Sequence, residues 1–64
     1  MYHLRVLHQG SSLPTEVLTL ERPGDVLTSV PELLARHADC ERVEVLAGPT
    51  FLFAVDCKGQ RLER

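Results

Sequence analysis

Helical periodicity occurs in one stretch of this chain and nowhere else. Val26, Leu27, Val30, Leu33, Leu34, His37 and Ala38 recur at the spacing of a single helical face. On both sides of that stretch the apolar residues alternate in period two, the signature of strands. One short helix can cover only one side of a sheet. The expected fold is therefore α+β, and the question it raises is what shelters the other side.

Proline sets the expected helix boundary. The apolar pattern alone would begin a helix at Asp25. Pro31 deep inside such a helix would remove a hydrogen bond and crowd the carbonyl four residues back. Ser29 as N-cap, with Glu32 three residues later, forms a capping box and moves Pro31 into the first turn. The helix is expected over 30–38, with 25–28 as a separate turn whose Val26 and Leu27 still pack inward.

The strands follow from alternation and from turn residues. A strand over 2–9 carries Leu4 and Val6 on one face and Leu7 on the other. The cluster Gly10-Ser11-Ser12-Leu13-Pro14 turns the chain into a second strand over 15–21, completing an antiparallel hairpin. After the helix come strands over 42–47 and 51–56, then a short one over 60–63. Asp56-Cys57-Lys58-Gly59 suits a type I turn closed by a left-handed glycine. The predicted order is ββαβββ in a mostly antiparallel sheet, with one short helix on one face.

Register is chosen by hydrophobic matching. A three-residue loop after Ala47 sets Ala47 opposite Phe51, Val45 opposite Phe53 and Val43 opposite Val55. All the large apolar side chains then share the helix side, and Arg42 faces Asp56 as a cross-strand ion pair. The opposite face receives Leu7, Val17, Leu46, Leu52 and Leu62 among polar neighbours. Those five are the candidate contact residues, because a contiguous aliphatic patch marks an interaction surface.

Size supports that expectation. At 64 residues the chain is a single small domain. Such a domain buries only about 60% of the surface its unfolded chain exposes, so a second subunit is a natural source of stability. The leading expectation is a non-enzymatic protein that works by association, as a homodimer through the sheet face or edge, or with another protein partner.

Charge and motifs narrow the alternatives. Seven Lys/Arg stand against nine Asp/Glu, and most of the arginines are interspersed with acids. That balance opposes general binding to phosphate backbones. Only Lys58, Arg61 and Arg64 approach a basic cluster, interrupted by Glu63, and they carry the alternative of a nucleic-acid-binding module. A metal or enzymatic site at a subunit interface is the third. Its raw material is His37, Cys40 and Cys57 with His3 or His8, a spacing that matches no strong metal signature. His37 and Cys40 lie at a helix C-terminus, where the dipole disfavours a thiolate. The four glycines are isolated turn residues, so no phosphate loop and no cofactor is expected.

No apolar run reaches membrane-spanning length, and the first residues lack an apolar signal region. With two cysteines, the expected setting is a reducing cytoplasm. Six Arg to one Lys, eleven Leu and no Ile suggest a bacterial, GC-rich coding bias.

Overall fold

The computed structural model describes residues 1–10 and 12–62. Its elements run β1 (Tyr2–Leu7), β2 (Glu16–Leu20), α1 (Pro23–Arg36), β3 (Arg42–Ala47), β4 (Thr50–Asp56) and β5 (Arg61–Leu62). The expected ββαβββ order holds. All five strands form one open sheet in the order β2-β1-β3-β4-β5, with every neighbouring pair antiparallel. β2 and β3 flank β1, and α1 carries the chain over the sheet between them. Among the described residues no helix is long and apolar enough to cross a membrane.

The side of the sheet under the helix is built in rows. Leu18, Leu4, Val45 and Phe53 lie opposite one another across four strands; Glu16, Val6, Val43, Val55 and Arg61 form the next row across five. Leu4, Val6, Val43 and Val45 are fully buried there with Leu33 of α1, and Val26 and Cys40 join them. Central strands thus supply the floor of the core, and one helical stripe its roof. A helix is only about 10–12 Å across, and α1 lies nearest β1 and β2. The β4 side is consequently less covered.

The helix is longer than capping chemistry suggested. It starts at Pro23, seven residues before the expected Val30, and the segment 25–28 is helical rather than a separate turn. Ser29 is inside the helix and caps nothing at its start. Arg22 occupies the N-cap in extended conformation, without a side-chain cap bond. Pro23 begins the helix at a position where its missing donor is harmless. Asp25 in the first turn and Arg36 in the last complement the helix dipole.

Pro31 therefore sits inside the helix. It leaves the Leu27 carbonyl without its usual partner, but Pro31 and Leu27 are both exposed, so water can serve that oxygen. Burial of Val26 with Leu33, two turns apart on one stripe, outweighs the local cost.

The β3–β4 hairpin also departs from expectation. Its turn is the two-residue Gly48-Pro49, with Gly48 at φ 58°, as tight hairpins with glycine at the first central position require. Ala47 then faces Thr50, and Leu46 faces Phe51. A bulge at Leu52 absorbs one residue, and beyond it Val45–Phe53, Val43–Val55 and Arg42–Asp56 pair as hydrophobic matching predicts. Ala47 opposite Phe51 is thus incorrect. The bulge reconciles a tight turn with a half-buried Phe53 on the helix side, and it reverses the faces of Phe51 and Leu52.

The last turn forms as predicted. Gly59 has φ 85°, its amide donates to the Asp56 carbonyl (3.0 Å), and Asp56 Oδ1 accepts from the Lys58 and Gln60 amides at 2.9 Å each. The predicted fifth strand is seen at Arg61–Leu62; Glu63 and Arg64, like Ser11 of the first turn, lie outside the described residues.

The helix start can be checked through Pro31. With Pro31 in a helix interior, Pro31→Ala restores an intrahelical bond and should stabilise the fold by about 1–3 kcal/mol in urea unfolding. A neutral or destabilising result would place Pro31 in a first turn.

Candidate functional site

The face away from the helix is crossed by a row of residues from all five strands. Val17, Arg5, Glu44, Ala54 and Leu62 lie successively opposite one another. Arg5 donates to Glu44 Oε1 (2.6 Å), and Arg42 donates through Nε to Glu44 Oε2 (3.1 Å) and through Nη1 to Glu41 (2.9 Å). Glu44, only 12% exposed, is the hub of this network. Burial works to raise its pKa. The hydrogen bonds from Arg5 and Arg42 outweigh that effect and hold the carboxyl below its ordinary value.

That network divides the five candidate contact residues. Val17 is 51% exposed on β2, and Leu62 is exposed on β5. Four strand spacings separate them, about 19 Å at about 4.8 Å each, with the Arg5–Glu44 pair between. Leu46 is half-buried in the neighbouring row, between His3 and Phe51. Leu7 faces the same way but is only 6% exposed. Leu52 has moved to the helix side through the bulge. Arg42, although opposite Asp56, makes its ion pairs with Glu44 and Glu41 instead.

Two other surfaces stand out: the sequence pattern allowed for a sheet edge without saying which, and it marked no groove. The first is the outer edge of β2. This strand ends the sheet, so one row of its backbone groups points away from β1. Its sequence, Glu-Val-Leu-Thr-Leu, has high strand propensity and contains no lysine and no proline, and its register with β1 is unbroken. β5, at the other edge, spans two residues.

The second is an apolar groove on the helix side, about 320 Å³ in volume. Tyr2, Val45 and Phe53 line it from the sheet, Pro23, Val26 and Leu27 from the start of α1, and Leu52 from the bulge. Leu27 is 76% exposed, among the most exposed of the large apolar side chains. Arg61 places its guanidinium carbon 5.2 Å from the centre of the Phe53 ring, in cation–π range. Of the other basic residues singled out from the sequence, Lys58 is exposed in the β4–β5 turn and Arg64 lies outside the described residues.

His8, His37 and the two cysteines gather near the other end of the helix, while His3 lies apart, 3.3 Å from the Thr19 hydroxyl on the open face. His37 Nε2 donates to Glu16 Oε1 (2.7 Å), and Arg36 donates to Glu16 Oε2 (2.8 Å). The His8 ring meets His37 edge-on, 5.6 Å between centres, and His8 Nδ1 is 3.9 Å from Asp39. The His37 hydrogen bond, reinforced by Arg36, lowers the Glu16 pKa against a smaller effect of burial. This cluster fastens the helix end to the first residue of β2. Cys40 and Cys57 are both free thiols. Burial first, then Cys57 and Asp39, pushes the Cys40 thiol up, away from the thiolate a nucleophile needs. Among the described residues no group of three or more His, Cys, Asp or Glu is placed to hold a metal ion.

Comparison of the chain with protein-family models, with characterised proteins and with solved structures gives no match.

The two lowered glutamates give a pH dependence of stability. A carboxyl whose folded pKa lies below its unfolded value, near 4.5, contributes stability above that value and loses it as pH falls through the folded one. Urea midpoints should therefore hold from pH 7 to about 5 and fall below about 4.5. Glu44→Gln should cost about 1–2 kcal/mol at pH 7 and make the acid loss shallower. An unchanged acid slope would remove Glu44 from this account.

Proposed function

We propose that this protein works by association without catalysis, and that its partner is a second copy joined edge to edge through β2. The observation that carries this reading is the five-residue edge strand with neither proline nor lysine. A strand placed antiparallel to its own twofold copy is self-complementary by symmetry. With the axis at Leu18, Val17 would face Thr19 of the partner subunit, and two five-stranded sheets would join into one. The divided open face makes the edge, rather than the face, the better contact. Val17 is the one residue of the original five that stands on this strand.

The setting proposed with it is a bacterial cytoplasm, supported by the arginine-rich, isoleucine-free composition. The small core supports the need for a partner, since domains of this size are marginal alone.

Sedimentation at micromolar to tens of micromolar protein should show a reversible dimer. Val17 and Thr19 are exposed, so replacing both with lysine (V17K with T19K) leaves the core intact. In the dimer those lysines would face one another as like charges, and the double variant should sediment as a folded monomer. A wild-type protein that stays monomeric throughout, or a double variant that still dimerises, would contradict the reading.

A further inference from the structure

None of the residues lining the apolar groove belongs to β2, so an edge-to-edge dimer through that strand does not use them. We propose that it is a binding site for a small amphipathic anion, a short acyl chain ending in a carboxylate, with Arg61 receiving the carboxylate.

The lining accounts for the acyl chain. None of the residues around the groove is charged, and all but Tyr2 are wholly apolar. About 320 Å³ is at the small end of the about 300–1,000 Å³ range of small-molecule pockets, which suits a short chain. Exposed Leu27 and Leu52 stand at its rim, so an alkyl group entering the groove would remove apolar surface on both sides from water.

The distribution of charge accounts for the head group. Arg61 lies over Phe53, whose ring lines the groove, and among the described residues it pairs with no carboxylate. The acids of the helix are on its other flank. Asp25, Glu32 and Arg36 share one stripe by helical spacing, and Arg36 marks its direction by reaching Glu16 on β2. Pro23 and Leu27 lie on the groove side. Among the described residues, a protein of net charge −2 thus places a cation without an ion pair beside a groove whose lining holds no acid. A guanidinium held against an aromatic face keeps its donors for a carboxylate, which it can bind through two parallel bonds.

The test is a titration of the full chain with octanoate, octan-1-ol and octyltrimethylammonium, followed by amide NMR shifts. Octanoate should bind about tenfold more tightly than the alcohol, the effect of one charge-assisted contact at a half-open site. The shifts should centre on Leu27, Leu52, Phe53 and Arg61. Arg61→Gln should bring octanoate down to the level of the alcohol, and Leu27→Gln should weaken both. Both side chains are exposed, and circular dichroism should confirm that each variant folds.

No binding, equal binding of the ammonium compound, shifts centred elsewhere, or a carboxylate preference that survives Arg61→Gln would each overturn the proposal. So would groove signals that move with protein concentration alone, because a second copy would then fill the groove. Repeating the titration on V17K with T19K separates this site from the β2 edge: the edge reading can fail while octanoate still binds, and the reverse.

Discussion

Everything in this fold is arranged around one helix packed on five strands. Leu33 and Val26 seat α1 over Leu4, Val6, Val43 and Val45, and those residues form the fully enclosed centre. A single helix has too little width to roof the whole sheet. Three consequences follow. The uncovered face is satisfied by charge, through Arg5, Glu44 and Arg42. The sheet keeps an open edge at β2. The β4 side, less covered by the helix, keeps a groove at the helix start.

Much of the fold was legible because period-two and period-3.6 patterns are so well separated here. Element order, the antiparallel N-terminal hairpin and the Asp56–Gly59 turn could all be read from residue type and spacing. The two misreadings have opposite causes: in the helix a local rule was weighed above packing, and in the hairpin packing was weighed above a local turn rule. Pro31 argued for a late helix start, yet the stripe from Val26 to Leu33 buries enough to hold a proline on the solvent side. Hydrophobic matching argued for a three-residue loop, yet Gly48 favours a two-residue one, and a bulge at Leu52 accommodates both. A bulge leaves no clear mark in sequence, since any residue in a strand can be the extra one.

The candidate contact surface was less legible than the fold. Alternation assigns residues to a face but not to a row, so Val17, Leu46 and Leu62 looked contiguous. Strand order, which the pattern does not carry, places the Arg5–Glu44 pair among them. Leu52 shows the same limit more sharply, because one bulged residue moves it from the open face to the groove. The β2 edge and the position of Arg61 over Phe53 likewise depend on which strands are neighbours.

Association through β2 requires that the outer backbone of that strand find a partner. Hydrogen exchange resolved by residue tests this directly. Amides of β2 that point away from β1 should exchange quickly in dilute protein and become protected as concentration rises, while β5 stays unchanged. Fast exchange of those amides at every concentration would contradict it.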